Sequence, residues 1–142
     1  MFLISMSASD VAMTMDEFVA YYKKNRGLVR SARAYDAAGG QWVQGEEIFR
    51  KSGAYTLIVI QFKNRHFLRV TVKPSLKVAY SPEVYRSAAF WVDKGVRLTY
   101  EEKAFLEGIG NEPMAMDEIL RVIERSGFPG KEALLKKIRK AL

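Results

Sequence analysis

Rings and cations recur side by side in this chain: Phe49-Arg50, Phe62-Lys63, His66-Phe67 with Arg69, and Tyr85-Arg86. A ring offers a π-face to any base while a neighbouring Arg or Lys holds phosphate, so such pairs suit an unstacked single strand. A second set, Lys23, Arg26, Arg30 and Arg33, is spaced three, four and three residues apart. On one continuous helix these four share a face over about three turns, with no acid among them before Asp36. Three of the four are arginine, whose planar fork grips phosphate at two points and also stacks on bases. An ordinary solvated helix face is the alternative reading of the same spacing.

Other chemistry is poorly provided for. The one histidine, His66, lies beside Asn64 and Arg65 with no second imidazole or neighbouring acid pair to complete a metal site. Cysteine is absent, which excludes disulfides and thiolate ligands. No Gly-x-Ser-x-Gly elbow or Cys-His pairing offers a nucleophile. Gly127-Phe-Pro-Gly-Lys131 has the glycines and lysine of a phosphate loop, but the spacing is wrong and Glu132 stands where a hydroxyl should bind magnesium. The expectation is a binding protein and not an enzyme, with no cofactor and no metal.

Length and charge agree with that expectation. The 142 residues suit one domain, and 23 Lys+Arg against 16 Asp+Glu leave a net charge of +7, which favours a polyanionic partner. The opening Met1-Phe-Leu-Ile-Ser5 has no basic lead-in and is shorter than a signal-peptide core. No stretch approaches the ~18 apolar residues of a membrane span. A soluble, cytoplasmic protein without a membrane partner is expected. Three Asn, three Gln and no Cys hint at a heat-adapted, thermostable source.

The elements that position these residues centre on a hairpin over 54–73. Thr56, Ile58, Ile60 and Phe62 alternate along its first strand, and Leu68, Val70 and Val72 along its second. A turn at Asn64-Arg65-His66 pairs Lys63 with Phe67, Phe62 with Leu68, Ile60 with Val70 and Ile58 with Val72, giving one apolar side. A one-residue slip mixes the faces. The opposite side carries Tyr55, Leu57, Val59, Gln61, Lys63, Phe67, Arg69, Thr71 and Lys73. It is either a half-solvated sheet face or a platform for bases.

Around the hairpin, residues 1–13 lack a period and are expected to fray. Thr14 to Glu17 has capping-box spacing and opens a helix to about Asn25, with a second helical stretch over 28–37 ended by Gly39-Gly40. Residues 41–50 read as a strand, turning at Lys51-Ser-Gly53; depending on loop length, Phe49 and Trp42 are core or ligand surface. Leu76, Val78 and Tyr80 make a short fourth strand. Ser81-Pro82 starts a helix closed by Gly95, where Arg86 and Phe90 form a possible cleft wall. Thr99 to Glu102 is another capping box. Two helices follow, one ending at Gly127 and one over 131–142. The expected fold class is α+β: a four-stranded antiparallel sheet packed against N-terminal helices and a C-terminal helical region. It forms a single domain with a binding core over 14–110 and a helical tail over 111–142.

This order of basic helices, aromatic and cationic strands, and helical tail resembles the archaeal ThermoDBP single-stranded-DNA-binding proteins and their paralogues. The likeness spans roughly 14–142 and rests on segments such as Arg65-His66-Phe67-Leu68-Arg69 and Tyr85-Arg86. It implies a cleft between sheet and helices, apolar at its floor and basic at its rim. The family's tail resembles a dimerising leucine zipper; here only Leu135, Ile138 and Leu142 approach heptad spacing, too few for one, so a homodimer stays an open alternative.

The leading expectation is a single-stranded DNA or RNA binder of low sequence specificity. Lys23, Arg26, Arg30, Arg33, Arg50, Lys63, Arg65, Arg69, Lys73 and Arg86 provide phosphate contacts, and Phe49, His66, Phe67, Tyr85 and Phe90 provide stacking. Two alternatives stand beside it: a duplex-DNA regulator using a helix-turn-helix at 116–142, and a protein–protein adaptor using the open sheet face.

Overall fold

The computed structural model describes residues 7–51 and 53–142. The apolar opening run (residues 1–5) and Ser52 of the expected turn lie outside the described residues. The chain divides into two compact units, Met1–Val72 and Lys73–Leu142.

The first unit runs β1 (Ala8–Met13), α1 (Met15–Asn25), a 3-10 turn (Arg26–Leu28), β2 (Val29–Asp36), β3 (Gln41–Gln44), α2 (Glu47–Arg50), β4 (Tyr55–Phe62) and β5 (Phe67–Val72). The sheet order is β1-β5-β4-β2-β3, with β1 parallel to β5 and the remaining pairs antiparallel. The expected four-stranded antiparallel meander is therefore replaced by a five-stranded mixed sheet.

Two segments account for the difference. Residues 8–13 do not fray: they form the edge strand beside β5, and their lack of period reflects small residues on a strand exposed along one side. The segment 28–37 is not helical. Ala32 and Ala34 are buried while Ser31, Arg33 and Tyr35 alternate outward, a period of two that pairing with β4 enforces. The three-four-three spacing of the cations coincides with a helical repeat only by accident. Thr14 does cap α1, accepting from Glu17 N–H at 3.2 Å.

The hairpin itself forms with a shifted register. Ile60 faces Leu68 and Ile58 faces Val70, two residues from the expected pairing. A shift of two preserves the faces. Phe62 N–H donates to His66 O at 2.8 Å and Arg65 N–H to Phe62 O at 3.0 Å, closing a three-residue loop over 63–65. Arg65 takes φ 69°, the left-handed position that closes such loops.

One face of the sheet is dry. Ala32, Ala34, Val43, Ile58, Ile60, Leu68, Val70 and Val72 pack with Phe18 and Tyr22 of α1 and with Ile48 of α2. The expected strand over 41–50 stops at Gln44, where Gly45 at φ 59° turns the chain into α2.

The second unit comprises β6 (Ala79–Tyr80), α3 (Pro82–Tyr85), α4 (Ala88–Asp93), α5 (Tyr100–Glu107), β7 (Met114–Ala115), α6 (Met116–Arg125) and α7 (Lys131–Ala141). The expected fourth strand shrinks to β6, which pairs with β7 and not with the five-stranded sheet. The single helix expected after Ser81 breaks at Arg86 and Ser87 into α3 and α4. Gly95 does close it, at φ 80°. Thr99 and Glu102 form a complete capping box, with the carboxylate accepting from Thr99 N–H at 2.8 Å and the hydroxyl from Glu102 N–H at 3.1 Å. Tyr85, Phe90, Trp91, Met116, Ile119, Ile123, Leu134 and Ile138 are fully buried. Among the described residues no helix is long and apolar enough to cross a membrane.

Candidate nucleic-acid interface

The face of the sheet turned away from α1 is built from three transverse rows. Strand pairing aligns Ser31, Gln61, Phe67 and Ala8 in one, Gln44, Arg33, Val59, Arg69 and Asp10 in the next, and Trp42, Tyr35, Leu57, Thr71 and Ala12 in the third. Cross-strand partners share a face, so these side chains emerge together. Arg33 and Arg69 flank Val59, one strand away on either side. Ser31, Arg33, Gln44, Val59, Gln61 and Phe67 line a shallow depression of about 330 Å³.

Trp42 is 43% exposed, a large ring to leave in water. The Arg33 guanidinium lies 4.8 Å from its ring centroid, and Tyr35 packs on it at 5.4 Å with a 30° tilt. The guanidinium lies over the ring and Tyr35 packs against it, so a cation and two rings stand together on a part of the face that stays partly exposed. Arg69 is different: its Nε and one terminal nitrogen reach Asp10 at 2.7 and 2.9 Å, a two-point pair that offsets its charge. Among the described residues no carboxylate forms an ion pair with Arg33.

Of the expected site, this face gathers Arg33, Phe67 and Arg69, and leaves out the rest. The four cations do not share one face. Lys23 projects into solvent from α1, beneath the sheet; Arg26 bonds Glu46 at 2.5 Å; Arg30 is the extra residue of a bulge between Val29 and Ser31. Phe49 is not a stacking ring for a ligand, because it stacks inside on Phe18 at 5.9 Å and meets Tyr22 at 4.9 Å. Arg50 is exposed at the end of α2. Lys63 and Arg65 sit on the hairpin tip. His66 pairs with Phe62 and so faces the opposite side from Phe67; its two ring nitrogens lie 2.6 Å from Ser7 Oγ and 3.1 Å from Ser9 Oγ. Tyr55, expected on the open face, is 4% exposed and belongs to the core.

The remaining four fall in the second unit. Lys73 is half-buried at its start. Tyr85 and Phe90 are fully buried and so cannot stack on bases. The Tyr85 hydroxyl donates to Gly110 O at 3.0 Å, and burial pushes its pKa up despite the neighbouring Arg86. Arg86 donates to the carbonyls of Ile109 and Gly110 and, at 3.0 Å, to Asn111 Oδ1. It ties a loop and does not wait for a phosphate.

Trp42, Tyr35 and Gln44 are the residues that sequence reasoning missed or left undecided. The available signal was the alternation Ser31, Arg33, Tyr35 against Ala32, Ala34, a strand period hidden by the cation spacing. The element order behind the ThermoDBP resemblance, basic helices and then four antiparallel strands, is not what the chain builds. No protein-family model, curated protein or solved structure matches the chain.

Proposed function

We propose that the open sheet face of the first unit binds single-stranded nucleic acid, DNA or RNA, with little sequence preference and without catalysis. The observation that carries this is Trp42: a ring 43% exposed, with the Arg33 guanidinium 4.8 Å from its centroid, on a face that also bears Phe67 and Arg69. Bases stack on Trp42 and Phe67, Arg33 and Arg69 take phosphates, and Ser31, Gln44 and Gln61 supply donors and acceptors at the floor. Exchange of Asp10 for a phosphate on Arg69 keeps that guanidinium satisfied in both states. The setting is cytoplasmic, with no cofactor required.

Titration of a labelled homopolymer strand and of a duplex, at two salt concentrations, tests the reading. Tighter binding of the strand, weakening with salt and accompanied by quenching of Trp42 fluorescence, is expected. Trp91 is fully buried, so the quenchable signal belongs to Trp42. Equal affinity for duplex, or indifference to salt, refutes the proposal.

The helix-turn-helix alternative has less support. Of the five cations on α7, Lys131 donates to the carbonyls of Glu124 and Ser126, Lys137 bonds Glu102 at 2.6 Å and Arg139 bonds Glu124, while Lys136 and Lys140 are exposed in its second half. Groups already engaged inside the unit are poorly placed to read a groove.

A further inference from the structure

We propose that the outer edge of β1 pairs with the same edge of a second copy of this chain, joining two five-stranded sheets into one. β1 ends the sheet, and among the described residues it has a strand on one side only. Phe67 N–H donates to Ser7 O at 2.9 Å. Alternate residues of a strand address alternate sides, so Ser7, Ser9, Val11 and Met13 turn their backbone groups to β5. Ala8, Asp10 and Ala12 turn theirs outward.

Sheet edges are normally blunted by proline, lysine, a bulge or a cover. Ala8-Ser-Asp-Val-Ala-Met13 contains no proline or lysine, and its one charge, Asp10, is bound to Arg69 within the same sheet at 2.7 Å. Val11 shares the inner face with fully buried Val70, yet it is 37% exposed. It is an inner-face residue left partly exposed, with no strand on its outer side among the described residues.

The edge also selects its partner. Two copies can pair antiparallel only where outward-turned residues meet outward-turned residues. Pairing centred on Asp10 sets two carboxylates opposite each other. Pairing centred on Val11 sets Val11 against its counterpart, Asp10 against Ala12 and Ser9 against Met13. This second register covers Val11 and leaves each Asp10 with its own Arg69. The two-fold axis then runs through the sheet, and both open faces emerge on the same side. Two strand-binding surfaces become one, with the two Asp10–Arg69 pairs adjoining at its centre. The pairing itself stands on the edge geometry and does not require the nucleic-acid reading.

Because the chain has no cysteine, one introduced thiol reports on one position. The Val11 pair is of the non-hydrogen-bonded type, with Cα atoms about 4.5 Å apart, within disulfide reach. Val11→Cys is expected to become a covalent dimer under mild oxidation, whereas Gln41→Cys on the opposite edge stays monomeric. Sedimentation of the unaltered chain should show a doubled mass that Val11→Lys returns to that of one chain. A monomeric chain at about 100 μM, a Val11→Lys protein that still dimerises, or equal cross-linking of both cysteine variants overturns the proposal. None of these readouts involves nucleic acid, so failure here is distinct from failure of the proposed function.

Discussion

Arg33 with Trp42 in the first unit and Arg86 with Tyr85 in the second are the same chemical pairing put to opposite uses. Arg33 lies 4.8 Å from a ring that is 43% exposed. Arg86 lies 6.0 Å from a ring that is fully buried, whose hydroxyl and whose neighbouring guanidinium both bond the loop at 109–112. A ring beside a cation is thus no signal of a ligand by itself. What decides is whether the element carrying the pair turns it toward its own core. A sheet covered on one face can present side chains on the other, whereas the short helix α3 turns both Val84 and Tyr85 into the interior of its unit.

Substitutions can break or sharpen that contrast. The largest effect is expected at Tyr85→Ala, which removes a buried ring and a hydroxyl whose one proton is shared between the Gly110 and Glu112 carbonyls. It should cost about 3–5 kcal/mol in urea unfolding and leave single-strand affinity within about twofold at temperatures below the new midpoint. A loss of affinity without a loss of stability would reverse the assignment of the two pairs.

Lys94, also in the second unit, is 5% exposed, and its ammonium lies 4.6 Å from the Phe90 ring. Burial holds its pKa down to about 7 from 10.5, with Asp93 opposing the shift. The cost of burying the charge is therefore fully present below about pH 7 and fades as pH rises toward the unfolded value of 10.5. Stability should rise by roughly 2–3 kcal/mol between pH 7 and 9.5 through this group. Lys94→Met should flatten that rise in paired melts at the two pH values, while strand binding at pH 7 is retained.

Trp42→Ala is the converse of Tyr85→Ala. It should weaken single-strand binding by about 1–3 kcal/mol and change unfolding by less than about 0.5 kcal/mol, measured by titration and by urea melts. The smallest effect is expected at Arg65→Gly. The residue sits at φ 69°, where a side chain is strained, so glycine should stabilise by about 0.5–1 kcal/mol. Unchanged affinity would place the hairpin tip outside the binding face; a clear loss would extend the face to it.

The sequence on its own determined the hairpin, its apolar side and the helix starts at Thr14, Ser81 and Thr99, because period-two alternation and capping chemistry are local. It also determined the absence of thiol chemistry and the excess of positive charge. Arg33, Phe67 and Arg69, all named from the sequence, lie on one face of the sheet, Arg33 by way of a strand and not the helix its spacing suggested. Only the tertiary structure decided that Val29–Asp36 is a strand, since pairing with β4 outweighs a spacing that suits a helix equally well. It alone showed that 8–13 closes the sheet, because a strand of small residues carries no pattern until its partner is known. It alone separated the open face from Phe49, Tyr85 and Phe90, because burial depends on neighbours that lie far away along the chain.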